Sequence, residues 1–279
     1  VVVTDMAEVT VAGEPVYGDG GTPSLPSALK NFDEILQQMD GKSPVVFLDY
    51  DGTLTPIVRK PEDADLPINA RRIVRDLAHE VPVAVISGRD LRDVKQRVAV
   101  DRLYYAGSHG FDIAGPGDRR ISHEAGSEFL DAVDTAEEKL QKRLEGIEGA
   151  RLERKKFSIA VHYREVAEED VDSVASTVEK VQREVPNLKK SSGKKVFEIQ
   201  PDMDWDKGKA VRWLMENALD LDPATMLPIY IGDDVTDEDA FKELRQDGVG
   251  IRVDDVDLGR SEARYRLGDP DEVYRFLET

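Results

Sequence analysis

Two carboxylates two residues apart, Asp49 and Asp51, follow the apolar run Val45-Val46-Phe47-Leu48 and immediately precede Gly52. The run reads as a buried strand, and the glycine permits the sharp turn that ends it. A carboxylate can attack a phosphoryl group and carry it as an acyl phosphate, while a second acid protonates the leaving oxygen and later deprotonates water. Attack of one anion on another needs positive charge close by. Magnesium, held by one or two carboxylates with phosphate oxygens and water, is the usual source. The plainer alternative is a solvated acidic turn at the end of a strand.

Other strand ends carry polar signals of their own. Val81–Ile86 is a second apolar run and ends on Ser87-Gly88-Arg89-Asp90. A hydroxyl and a glycine ahead of helix amides form a phosphate cradle from Ser87 and Gly88, with Arg89 adding charge nearby as a substrate contact, unless Ser87 only caps the helix. Leu103–Ala106 leads to Gly107-Ser108-His109-Gly110, where a tight turn can aim His109 at a substrate, a structural histidine being the alternative. Leu227–Ile231 ends at Gly232-Asp233-Asp234-Val235-Thr236-Asp237. Asp233, with Asp234 or Asp237 as further candidates, can complete an oxygen-rich metal site with Asp49 and the carbonyl of Asp51. Lys207 opens a helix, the end that disfavours cations, so it is a candidate for neutralising charge beside an aspartyl phosphate. Lys209 reads as surface.

These signals must be positioned by alternating strands and helices, which imply an α/β fold with a Rossmann-like parallel sheet whose strand ends carry the site. Helices are expected at 68–80 and 270–278, strands near 81–86, 103–106, 227–231 and 248–253. Residues 116–203 read differently: helix, two strands, helix, two strands, an α+β lid inserted into a core of residues 27–115 and 204–279. Basic residues gather there, among them Arg151, Lys155, Lys156, Arg164, Lys189 and Lys195. Glu198 alternates out of an apolar strand and can bind hydroxyls or stand as an ordinary exposed acid. Residues 1–26, rich in Gly, Pro and Thr, read as a flexible leader.

The balance of 57 acidic and 38 basic residues gives a net charge of −19, which argues against a nucleic-acid partner and requires local cations around an anionic substrate. With no cysteine, neither disulfides nor thiolate metal sites contribute, as suits a reducing, cytoplasmic setting. No run approaches the roughly 20 apolar residues of a membrane span. The chain begins at Val1 and not at Met, which leaves a preceding segment open.

The string Asp49-Tyr50-Asp51-Gly52-Thr53-Leu54 resembles the first motif of the haloacid dehalogenase superfamily, and Ser87, Lys207 and Asp233 fall where its other motifs do. With Ser87-Gly88-Arg89, Gly107-Ser108-His109-Gly110, His162-Tyr163-Arg164, Asp206-Lys207-Gly208-Lys209 and Gly232-Asp233-Asp234-Val235-Thr236-Asp237-Glu238-Asp239, the pattern over residues 24–279 is similar to that of trehalose-6-phosphate phosphatases. That resemblance implies strand order 5-4-1-2-3, an inserted lid and magnesium dependence. It also implies Asp49 as nucleophile, Asp51 as acid/base, and Lys195 and Glu198 as contacts to the sugar. Before Pro201, where the family often has a basic residue, stands Gln200. A monomer acting on a small sugar phosphate is expected. Alternatives are a phosphatase for sucrose 6-phosphate or mannosylglycerate phosphate, a sugar-phosphate sensor, and a phosphate-receiving signalling module, which would have no use for Asp51.

Overall fold

A computed structural model of the chain describes residues 25–58, 60–117, 122–124, 126–193, 195–254 and 261–279. The leader expected over 1–26 lies almost wholly outside the described residues. In chain order the elements are α1 (Phe32–Gln38), β1 (Ser43–Leu48), α2 (Ile68–Glu80), β2 (Val83–Ile86), α3 (Leu91–Val98), β3 (Tyr104–Gly107), β4 (Asp112–Ala114) and β5 (Ser122–Glu124). There follow α4 (Leu130–Leu144), β6 (Arg151–Arg154), β7 (Ile159–His162), α5 (Val171–Glu184), β8 (Leu188–Gly193) and β9 (Val196–Pro201). The last six are α6 (Lys207–Asn217), β10 (Met226–Gly232), α7 (Glu238–Glu243), β11 (Val249–Val253), β12 (Tyr265–Leu267) and α8 (Pro270–Glu278).

The main sheet runs β12-β11-β10-β1-β2-β3-β4-β5. Its first six strands are parallel and β4 and β5 are antiparallel. The expected order 5-4-1-2-3 is therefore present, extended at one edge by β12 and at the other by the hairpin β4-β5. The strand Ser122–Glu124, inside the segment read as lid, pairs with the main sheet.

Alternation along β1 explains the layering. Val46 and Leu48 pack into the cluster that also holds Ile35, Val74, Val94 and Val273, from α1, α2, α3 and α8. Val45 and Phe47 face the other way, onto Val211, Leu214 and Phe241 of α6 and α7. A central parallel strand covered on both faces must be apolar on both, which is why this segment reads as a continuous run. Register then sets the strand ends side by side. Leu48 pairs with Ile231 and with Val85, and the amide of Asp49 extends the ladder to the Ile231 carbonyl at 2.9 Å.

A second, antiparallel sheet runs β6-β7-β9-β8. One face is covered by α4 and α5, with Val133, Ala136 and Leu140 and Val174, Val178 and Val181 against Ile159, Val161, Phe197 and Ile199. Its other face supplies the polar alternates, Glu198 among them.

Phe47 is fully buried at the centre of the main sheet. Replacing it with Ala is expected to cost about 3–5 kcal/mol. Chemical denaturation followed by circular dichroism checks this; a loss below about 1 kcal/mol would contradict the packing described.

Candidate active site at the strand ends

Asp49 is 4% exposed and accepts a hydrogen bond from Lys207 Nζ at 2.8 Å. The lysine is delivered by the first turn of α6, which Asp206 caps by accepting from the Lys209 amide at 2.8 Å. Lys207 also donates to Asp237 Oδ1 at 2.6 Å, and that oxygen accepts from the Tyr230 hydroxyl at 2.6 Å. Asp237 Oδ2 accepts from the Asp234 amide at 2.9 Å, half of a capping box that starts the turn before α7. Desolvation alone would drive the ammonium's pKa down, but Asp237 and Asp49 outweigh it and hold Lys207 firmly protonated. At Asp49 burial wins over the attraction of Lys207, aided by Asp237 and Asp233, and its carboxyl lies well above the ordinary range.

Asp233 sits against the turn that follows β1. A Cβ on Gly52, whose φ is +87°, would lie 2.1 Å from the Asp233 carboxylate, so only glycine lets the two approach. Burial, then Asp237 and Asp234, push Asp233 up to about 7. Its buried Oδ1 has no hydrogen-bond partner among the described residues.

Ligand oxygens of Asp49, Asp233 and Asp237 lie within 4.8 Å of one another, a group that could hold a metal ion. The donor set is all oxygen and strongly anionic, and the orphaned Asp233 oxygen suits a hard divalent cation. Asp237 fits such a role least, because Lys207, Tyr230 and the Asp234 amide already occupy it. Asp234 caps the turn, its side chain accepting from the Val235 amide at 2.7 Å.

The side chain of Asp51 turns elsewhere. Arg89 clasps it, Nε to Oδ2 at 2.7 Å and Nη2 to Oδ1 at 2.6 Å. The residue expected to meet substrate thus meets the second acid. Ser87 is buried at the end of β2 and its Oγ accepts from the Arg89 amide at 3.1 Å. The cap of α3 is Asp90 and not Ser87. A Cβ on Gly88 would come within 2.7 Å of the His109 ring, so the glycine allows the imidazole to lie on this loop. Ser108 and His109 both adopt left-handed backbone, φ 50° and 58°, a costly conformation for residues with a side chain.

His109, Gly88, Lys155, Glu198, Trp205 and Lys207 line a cavity of about 940 Å³ that reaches from the second sheet to the strand ends. Glu198 Oε1 accepts from Lys155 Nζ at 2.9 Å and from Ser158 Oγ at 2.7 Å, and Oε2 lies 3.5 Å from His109 Nε2. Burial alone would raise the Glu198 carboxyl; Lys155, His109 and Ser158 together override it and leave it well below the usual range. Lys155 Nζ also donates to the Gly88 carbonyl at 3.0 Å, joining the second sheet to the Ser87-Gly88 loop. Sequence reasoning counted Lys155 only as one basic residue among many and did not single out Ser158. Lys195, expected beside Glu198, is not among the described residues lining this cavity. It stands exposed with φ 66°, its ammonium 5.8 Å from the centre of the Tyr163 ring.

The sequence model of the family described as trehalose-phosphatase matches residues 47–271. The chain belongs to the trehalose-phosphatase family. Trehalose-phosphate phosphatase B of Arabidopsis thaliana is 41% identical over 264 residues, 91% of this chain and 70% of that protein. Trehalose 6-phosphate phosphatase RA3 of Zea mays is 44% identical over 265 residues, 90% of this chain and 73% of the maize protein. A Mycobacterium tuberculosis protein described as an uncharacterized glycosyl hydrolase is 44% identical over 280 residues, 99% of this chain, which spans only 21% of that relative's length. The C-terminal domain of a C. albicans trehalose-6-phosphate phosphatase superposes with a TM-score of 0.76 at 22% identity, covering 91% of this chain and 97% of that one; this likeness speaks to the fold. The trehalose-phosphatase match begins at Phe47, next to the acids of β1, and takes in Ser87, Lys207 and Asp233.

The acidic cluster makes a pH prediction. A carboxyl raised to about 7 on folding binds its proton more tightly in the native state, so stability is lost as pH climbs from the ordinary carboxyl range through about 7. In chelator, the unfolding temperature should fall between pH 5 and pH 8, a divalent cation should restore it at pH 8, and Asp233→Asn should flatten both effects. No difference between wild type and Asp233→Asn would contradict the assignment.

Proposed function

We propose that the chain is a phosphomonoesterase that hydrolyses trehalose 6-phosphate to trehalose and phosphate through an aspartyl phosphate on Asp49. The observation that carries this reading is the buried Lys207 ammonium held 2.8 Å from Asp49, beside an acidic cluster suited to a cation. The family membership, and plant relatives that are themselves described as trehalose-phosphate phosphatases, support the substrate.

In this reading, Asp49 Oδ attacks phosphorus in line with the sugar oxygen. Asp51 gives a proton to that oxygen as the bond breaks, then takes one from the water that attacks the phosphoenzyme. Lys207, Ser87 Oγ and the amides of the Ser87-Gly88 loop hold the phosphoryl oxygens. Asp49, Asp233 and the Asp51 carbonyl would hold magnesium, which when bound neutralises phosphoryl charge and orients the group. Asp237 keeps Lys207 charged and aimed.

The second sheet and its helices act as the lid over a core of residues 27–115 and 204–279 together with β5, which pairs with the main sheet. Its Glu198 is an ionised acceptor for sugar hydroxyls and Lys155 a donor to them, with His109 reaching from the core side. Closing such a lid excludes water and ties turnover to recognition of the sugar. A cytoplasmic monomer is the setting this reading expects, and the strongly acidic balance argues against a nucleic-acid partner.

Phosphate release from a panel of sugar phosphates, with and without chelator, tests the reading. Trehalose 6-phosphate should be the best substrate and chelator should abolish turnover. Glu198→Ala should raise KM for the disaccharide phosphate by about 10- to 100-fold and leave a small aryl phosphate nearly unaffected. Equal effects on both esters, or turnover undiminished by chelator, would contradict it.

A further inference from the structure

Arg89 is tied down on every side. Its guanidinium gives Nε and one Nη2 hydrogen to Asp51, the other Nη2 hydrogen to the Pro61 carbonyl at 2.8 Å, and Nη1 to Asp93 at 2.9 Å. Four of its five donors are therefore spent within the protein. The side chain is only 10% exposed, and the guanidinium carbon stands 5.3 Å from the centre of the Tyr50 ring. Asp93 is itself held by Arg97 Nε at 2.9 Å, and Arg97 reaches on to the Ala64 carbonyl at 3.2 Å. Tyr50, between the two acids, donates to the same Ala64 carbonyl at 2.7 Å. Arg89 thus sits in a frame fixed to the loop after β1, to its own helix α3 and to the strand end.

Asp51, by contrast, is 37% exposed and projects from a turn with a glycine next to it. A carboxylate there has free rotation about two torsions unless something holds it. The fork fixes both oxygens in one plane and still leaves each a second lone pair for proton traffic. Holding a reacting group in one orientation is worth far more in turnover than in binding.

We propose that Arg89 is the positioning residue for Asp51: it orients the acid/base from behind, makes no contact with substrate, and acts on the reaction only through that carboxylate. The proposal rests on the reading of Asp51 as acid/base. It replaces the expectation that Arg89 binds substrate. It also accounts for an arginine where a lysine would conserve charge, since an ammonium on a flexible stem cannot clasp two oxygens in one plane.

A double-mutant cycle with Asp51→Asn decides it, read by steady-state and single-turnover kinetics on the full chain. Arg89→Ala and Arg89→Lys should each lower kcat about 10- to 100-fold, with KM for the sugar phosphate changing less than about 3-fold. In the Asp51→Asn background, the same Arg89 changes should cost less than about 2-fold more, because the group they act through is already disabled. Circular dichroism at the assay temperature keeps the comparison to folded protein, and Arg89→Lys serves if Arg89→Ala does not fold. A raised KM, or an Arg89 penalty of undiminished size in the Asp51→Asn background, would overturn the proposal while leaving Asp51's role intact. Near-normal turnover by Asp51→Asn alone would overturn that role, and the proposal with it.

Discussion

The buried ammonium of Lys207 is the interaction on which the rest depends. A charge taken out of water costs several kcal/mol unless well-placed partners meet it, and here Asp49 and Asp237 meet it at 2.8 and 2.6 Å. Three distant parts of the chain must arrive together for this: the end of β1, the start of α6 and the turn after β10. Tyr230 shares the Asp237 oxygen that Lys207 holds and the Asp234 amide meets the other, so the cluster is closed on that side. On the other side Asp233 is pushed up and one of its oxygens has no partner among the described residues. That imbalance suits the cluster to a cation.

The two acids of the first motif are separated by their partners. Tyr50 points into the core between them; Asp49 goes down to Lys207 and Asp51 out to Arg89. Two identical side chains two positions apart thereby acquire different environments, one dry and lysine-bound, the other at the mouth of the cleft. The second sheet reaches down with Lys155 to the Gly88 carbonyl and presents Glu198 across from His109. Lys155 and Lys207 bring ammonium charge into the cleft of a chain whose net charge is −19.

Much of this was legible in the sequence because parallel strands buried on both faces read as unbroken apolar runs, and each run ended on a glycine or a polar residue. Asp49, Ser87 and Asp233 stood at or just after such ends, and Lys207 was marked by opening a helix against the dipole preference. Glu198 was legible as an alternate between buried Phe197 and Ile199. What failed to show was non-local. Arg89 and Asp51 lie 38 residues apart, and only the placement of α3 against the β1 turn joins them. Lys155 sits in a run of three basic residues at the β6-β7 turn, with nothing in the pattern to choose among them. Lys195 was expected from the family resemblance, and in the structure its left-handed backbone accompanies an ammonium 5.8 Å from the centre of the Tyr163 ring. β12 escaped notice because it is three residues long and carries an arginine at its centre.

The central claim is that Asp49 carries the phosphoryl group and Asp51 moves the protons. Acid-quenched Asp51→Asn protein, incubated with trehalose 6-phosphate and a divalent cation and digested for peptide mass spectrometry, tests it most directly. Turnover should be lowered by at least about 100-fold, with a phosphate adduct on Asp49. An adduct on any other residue, or near-normal turnover, would contradict it.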